Sequence, residues 1–221
     1  MLNKRLSACL ACMDGCHTLY DIGSDHAYLP IEAIKAGKVS HAYAVDNKQG
    51  PIDSAKANIE AAVLNEKVTA IKASGTEALK HDADCVSIAG LGGKTIHDIL
   101  LNSDFKNVKR FILQPNAHAH LVRSLTKKRP LAIVKEDIIE ERGEIYPIIV
   151  MEKGHQTLDD IDLYIGPLLR ENPPEFYIDH LKAEHTFLEG LLEKIPSKDA
   201  RVPLEEKKRL LESVFNEWKR R

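Results

Sequence analysis

The chain has 221 residues, of which 43% are hydrophobic and 29% charged. That length fits one full domain with an appendage, or two small domains, and the balance excludes disorder as the main state. No uninterrupted apolar run reaches about 18 residues and the opening Met1–Leu6 lacks a long apolar core, so neither a membrane span nor a secretory signal is expected, and a cytoplasmic location follows. The formal net charge is −2, divided as +1 over residues 1–156 and −3 over residues 157–221. A nucleic-acid partner would therefore have to be held by local basic patches.

The elements alternate. A helix is expected over residues 3–13, with Leu2, Leu6, Cys9, Leu10 and Met13 on one face. Strands are expected at 18–22, 40–45, 67–73, 85–89 and 111–113, and helices at 27–37, 51–64, 95–102 and 117–128. Crossovers of this length imply a parallel sheet covered on both faces, an α/β fold. Residues 131–140 and 145–153, joined at Glu141-Arg142-Gly143-Glu144, read as an antiparallel hairpin closing the sheet. The tail turns helical at 161–171, 175–195 and 203–220, with breaks at Pro173-Pro174 and from Pro196 to Pro203. Its last two helices read as an antiparallel hairpin, giving domains at 1–156 and 157–221.

The chemistry concentrates in Asp21-Ile22-Gly23-Ser24-Asp25-His26-Ala27-Tyr28-Leu29-Pro30, directly after the first strand. A glycine in a strand-to-helix turn lets backbone approach a ligand closely, and Asp46, ending the second strand, is placed for ribose hydroxyls. The G-x-G-x-x-G fingerprint is absent, and Asp25 and His26 stand where a pyrophosphate needs small neutral residues. A carboxylate there repels pyrophosphate and suits a sulfonium, which favours S-adenosylmethionine over NAD. The structural alternatives are that Asp25 caps the following helix and that Tyr28 is a core residue.

Three segments carry a resemblance: residues 21–30, Ile88-Ala89-Gly90-Leu91-Gly92-Gly93, and Gln114-Pro115-Asn116. Together with Asn3-Lys4-Arg5-Leu6, Gly50-Pro51 and Gly166-Pro167, they make the chain similar to the bacterial tRNA (adenine-22-N1)-methyltransferase family over nearly its whole length. The resemblance implies a class I, Rossmann-like methyltransferase domain with a C-terminal helical hairpin, using S-adenosylmethionine to methylate N1 of an adenine in tRNA. It implies that Asp21, Gly23 and Ser24 line the cofactor's methionine end, with His26, Asn47, Ala89, Gly90 and Gly92 also on the cofactor side. Asp46 stands where the family usually has Glu. Ser74-Gly75 replaces the usual Asp or Asn before Gly, and Leu91 a more usual Met. Asp25, Tyr28, Gln114 and Asn116 are the catalytic candidates: Asp25 for the charge that develops on adenine, Tyr28 for stacking, and the two amides for hydrogen bonding to the base.

Basic patches at Lys106/Lys109/Arg110 and Lys207/Lys208/Arg209 could track phosphates, a solvated helix face being the competing reading for any one patch. Arg123, Lys127, Lys128 and Arg129, after the helix that follows Asn116, are the better candidates for RNA phosphates. Cys9, Cys12 and Cys16 read as packing thiols, so no metal is expected. The expected partner is tRNA, with no membrane, and the expected state a monomer or weak dimer. Two rival readings remain: a methyltransferase acting on another RNA or a small molecule, and a non-catalytic methyltransferase-like binding module.

Overall fold

The computed structural model describes residues 2–75, 77, 83–105 and 107–221. Two compact units emerge, Met1–Thr157 and Leu158–Arg221.

In the first unit, seven strands form one sheet: β1 (Thr18–Ile22), β2 (His41–Asp46), β3 (Val68–Lys72), β4 (Cys85–Leu91), β5 (Arg110–Pro115), β6 (Leu131–Glu141) and β7 (Glu144–Lys153). Their order is β3-β2-β1-β4-β5-β7-β6. The first five strands are parallel, and β7 enters antiparallel between β5 and β6. The expected hairpin therefore closes the sheet. The three central strands are buried over most of their length, with Leu19, Ile22, Val86, Ile88, Ile112 and Leu113 all inside. Helices on both faces explain their continuous apolar runs. Each such Leu or Ile contributes roughly 1.5–3 kcal/mol by burial.

Helix α1 (Lys4–Ala11) precedes the first strand, and α2 (Tyr28–Lys35), α3 (Gln49–Ala61), α4 (Gly93–Leu101) and α5 (Ala119–Arg123) connect later ones, the last followed by a 3₁₀ turn at Ser124–Lys127. Residues 117–128 are thus a short helix and a tighter turn, not one helix. Asn3 caps α1, its side chain accepting from the Leu6 N–H. Gly93 is obligatory at the start of α4: a Cβ there would lie 2.3 Å from the His118 carbonyl oxygen.

The second unit holds α6 (Asp160–Ile165), α7 (Pro167–Glu171), α8 (Glu175–Lys194) and α9 (Lys198–Arg220). The single helix expected over 161–171 is split at Gly166, whose φ of 105° no helix accommodates. The expected break from Pro196 to Pro203 is also shorter, because α9 starts at Lys198 and carries Pro203 inside it. Proline there costs one backbone bond, to the carbonyl of exposed Asp199. Helices α8 and α9 run antiparallel: Glu184 pairs with Lys207, His185 meets Glu212 and Glu189 pairs with Lys208. Arg170 locks the end of α9 with a two-toothed pair to Glu217, while Trp218 Nε1 donates to its carbonyl at 2.8 Å. Among the described residues no helix is long and apolar enough to cross a membrane.

Candidate active site

The strand order reverses between β1 and β4, so the helices leave the sheet on opposite sides there and open a crevice at the strands' C-terminal ends. The chain leaving β1 turns sharply into it. Gly23 has φ 76°, and the Gly23 and Ser24 N–H groups both donate to the Val45 carbonyl, at 2.8 and 2.9 Å. His26 and Ala27 are then both left-handed, with φ 70° and 56°. For non-glycine residues that conformation costs about 1 kcal/mol or more each. The Asn58 side chain holds the turn by donating to the His26 carbonyl at 3.0 Å.

This turn throws the Asp25 carboxylate outward, with its side chain 66% exposed and Oδ2 3.4 Å from His26 Nε2. It does not cap α2, whose N-cap residue, Ala27, provides no side-chain cap. Tyr28 is no core residue either. It is 52% exposed, its ring stacked on His26 with centroids 5.2 Å apart.

Below this rim lies a buried floor. Asp21 accepts a hydrogen bond from Ser87 Oγ at 2.5 Å. Burial pushes its carboxyl up to about 6, although the Ser87 hydroxyl and the nearby Ser24 hydroxyl favour the charged form. Ser24 Oγ itself is buried with no hydrogen-bond partner of ordinary geometry among the described residues. An unsatisfied buried hydroxyl costs about 1–3 kcal/mol, so it marks a place prepared for a polar ligand group.

The opposite wall is a bulge in β4 at Gly90, φ 79°. Gln114 Oε1 accepts from the Gly90 N–H at 3.1 Å, and Asn116 Nδ2 donates to the Gly90 carbonyl at 2.7 Å. Gln114 Nε2 in turn donates to Asn116 Oδ1 at 3.1 Å, as does Arg5 Nη1 from α1, also at 3.1 Å. A cavity of about 150 Å³ joins these groups, lined by Asp21, Gly23, Ser24, Asp25, Tyr28, Ala89, Gly90 and Gln114 together with Asn3, Arg5 and Leu6 of α1. Asn116 borders it through Gln114.

The other expected cofactor residues do not line this cavity. His26 stands beside it on the rim. Asp46 ends β2, where its Oδ1 accepts from the Lys48 N–H at 2.8 Å, and Asn47 follows it, exposed. Ser74 is exposed after β3, next to Gly75 at φ 52°. Gly92 is the N-cap of α4. All lie along the same C-terminal edge of the sheet.

The basic candidates separate. Arg123 is 1% exposed and pairs with the equally buried Glu136 at 2.8 Å, so it presents no charge to solvent, contrary to expectation. Arg129 is also engaged, donating to the Leu101 and Ser103 carbonyls with its guanidinium 4.2 Å from the Phe105 ring centroid. Lys127 and Lys128 are exposed, Lys128 Nζ lying 3.4 Å from His97 Nε2. In the earlier basic run, Lys109 pairs with Asp84 and Arg110 with Glu152, and Lys106 lies outside the described residues. Sequence reading placed neither Arg5 nor Asn3 at the site. The only signal was the Asn3–Leu6 motif, and Arg5 meets Asn116 across 111 residues of chain. Cys9, Cys12, Cys16 and Cys85 are buried free thiols, as packing residues should be.

The family model for tRNA (adenine(22)-N(1))-methyltransferase matches residues 19–217. The chain belongs to this family. It is 34% identical to the tRNA (adenine(22)-N(1))-methyltransferase of Bacillus subtilis over 203 residues, covering 88% of this chain and 85% of the relative. Among solved structures it resembles Mycoplasma capricolum TrmK in complex with S-adenosyl-homocysteine, with TM-score 0.90, 27% identity and 98% of each chain covered. Sp1610 of Streptococcus pneumoniae in complex with S-adenosyl-L-methionine matches with TM-score 0.88 and 34% identity, covering 97% of this chain and 99% of that one. The methyltransferase family thus accounts for both the parallel sheet closed by a hairpin and the helical tail.

Proposed function

We propose that this protein transfers the methyl group of S-adenosylmethionine to N1 of adenine 22 in tRNA. The observation that carries the reading is one cavity that joins the Ser24 hydroxyl, which makes no hydrogen bond of ordinary geometry, and the buried Asp21 carboxyl at its floor to the exposed Asp25 carboxylate at its rim. The floor fits the cofactor's methionine end, since a hydroxyl and a carboxyl complement its ammonium and carboxylate. Gly23, Ala89 and Gly90 bring backbone close, and in this reading Asp46, at the end of β2, takes the ribose hydroxyls. Asn47, Ser74, Gly75 and Gly92 continue that edge toward the adenine, with His26 on the rim above. When bound, S-adenosylmethionine supplies an electrophilic methyl group on a sulfonium.

The residues then have little to do but position. Adenine N1 carries its lone pair in the neutral base, so no side chain need remove a proton to create the nucleophile. The rim has to hold N1 in line with the methyl group. Methylation leaves a positive charge on the ring, and the Asp25 carboxylate stands where it can stabilise that charge as it develops. Asp25 also accepts the adenine N6–H. The exposed face of Tyr28, backed by His26, offers a stacking surface. Asn116 Oδ1 already accepts two hydrogen bonds, so Asn116 offers a base only an N–H.

N1 lies on the Watson–Crick edge, so the target must be unpaired or extruded before it enters. Lys127 and Lys128 are the phosphate contacts in this reading. Arg123 and Arg129 drop out as occupied. Residues 1–156 form the catalytic domain and 157–221 an accessory helical domain. A tRNA substrate goes with a cytoplasmic location.

The test is methyl transfer from labelled S-adenosylmethionine to tRNA lacking this modification, followed by mapping of the product. The expected result is 1-methyladenosine at position 22 and no label in tRNA carrying guanine there. Cofactor binding without transfer to any tRNA would overturn the reading.

A further inference from the structure

The side chain of Arg5 is held on three sides at the edge of the cavity. Its Nε donates to Glu141 Oε2 at 2.9 Å, its Nη1 donates to Asn116 Oδ1 at 3.1 Å, and the guanidinium lies 4.3 Å from the Tyr146 ring centroid. Glu141 ends β6 and Tyr146 belongs to β7, so one residue of α1 joins the closing hairpin to the crevice. The Arg5 side chain is 23% exposed and that of Glu141 is 16% exposed, so solvent screens this contact only in part.

The Arg5 bond adds a second donor to the Asn116 oxygen and so reinforces the way Asn116 is turned. With Oδ1 facing two donors, Nδ2 faces the Gly90 carbonyl. A flipped amide would set its NH₂ against the donors and its oxygen against a carbonyl. Gln114 is fixed in turn, because its Nε2 has Asn116 Oδ1 as acceptor while its Oε1 takes the Gly90 N–H. An arginine fork suits this task because its donors keep a fixed planar spread, which a lysine ammonium lacks.

We propose that Arg5 is a positioning residue for methyl transfer, acting through Asn116: the fork held by Glu141 and Tyr146 fixes the Asn116–Gln114 amide pair against the β4 bulge. The proposal rests on the function given above, and concerns how the far wall of that site is kept in register with the base.

The test uses the full chain with Arg5→Ala, Arg5→Lys, Asn116→Ala and the double variant Arg5→Ala/Asn116→Ala. Arg5→Ala should lower kcat on tRNA tenfold or more, with the Kd for S-adenosylmethionine within twofold of wild type. Arg5→Lys should recover only part of kcat, and the double variant should be no slower than the slower single variant. Full recovery with lysine, a loss confined to the KM for tRNA, or losses that multiply in the double variant would each overturn the proposal. A second readout needs no turnover: in ¹⁵N–¹H spectra the Asn116 and Gln114 side-chain NH₂ signals should shift in Arg5→Lys, a variant that keeps the charge and the fold. Unmoved amide signals sink the proposal. A wild-type protein that labels no tRNA, with the signals still moving, sinks the function reading instead.

Discussion

The Asn58 amide on α3 donates to the backbone carbonyl of His26, 32 residues earlier, and thereby holds two consecutive left-handed residues beside the candidate carboxylate. The bond is partly buried, so its loss leaves a carbonyl short of a partner while the turn keeps its strain. Asn58→Ala should cost about 1–2 kcal/mol, a few degrees in Tm for a chain of this size. It should lower kcat more than cofactor affinity, because relaxation of His26 moves Asp25. Thermal melting and calorimetry on the same preparation check both parts. An unchanged kcat would mean that Asp25 keeps its place without this bond.

Asp25 itself should matter to the chemical step more than to the fold. Its side chain makes no cap, so Asp25→Asn should leave Tm unchanged and the Kd for S-adenosylmethionine within twofold. Turnover should fall by about 100-fold or more, as for removal of one preorganised charge-stabilising group. Single-turnover rates on saturating tRNA measure it. A near-normal rate would remove Asp25 from the mechanism.

Asp21 ties stability to pH. Burial raises its carboxyl from the ordinary 3.8 to about 6, so its favourable neutral form is fully present below 3.8 and lost as pH rises through about 6. That shift corresponds to about 3 kcal/mol of penalty at neutral pH. Asp21→Asn should therefore be more stable than wild type at pH 7.5 by up to that amount, with little difference at pH 4, by urea unfolding. The same substitution should weaken cofactor binding. An equal stability difference at both pH values would assign the dependence to another group.

The basic residues beyond Asn116 should divide by burial. Lys127→Ala/Lys128→Ala should leave Tm nearly unchanged, weaken tRNA binding and flatten its salt dependence. Arg123→Ala should instead remove the 2.8 Å ion-pair partner of the buried Glu136 side chain, a loss of about 3–5 kcal/mol. Filter binding over a salt series, with melting curves, separates the two effects. Normal salt dependence in the double lysine variant would move the phosphate track elsewhere.

Much of this arrangement is legible in the sequence because it is local. The apolar runs at 18–22, 85–89 and 111–113 read as strands buried on both faces, and Gly23 and Gly90 sit at their ends where backbone must turn. What escapes is tertiary. Arg123 looks like a member of a basic surface run, and only the course of β6 brings Glu136 to bury it. Arg5 looks like an ordinary cation on a short amphipathic helix until the hairpin brings Glu141 and Tyr146 to it. Asp25 reads as a site residue ahead of a helix cap, and the two left-handed residues after it, which no glycine announces, take it away from the cap position. At Gly166 the apolar spacing continues through the break, so periodicity alone runs two helices together.

All four cysteines lie inside the first unit, at Cys9, Cys12, Cys16 and Cys85. Burial holds the Cys9 thiol far above its ordinary range, which keeps it unreactive while the fold is intact. The Cys16 thiol differs: a hydrogen bond with Cys85 lowers it below its ordinary range, so burial alone shields it from a maleimide or iodoacetamide, and its alkylation becomes a clock for the opening of the sheet. Once Cys16 is exchanged for serine, a single cysteine introduced on an exposed face of α8 or α9 becomes an addressable point for a fluorophore against three buried thiols in the first unit.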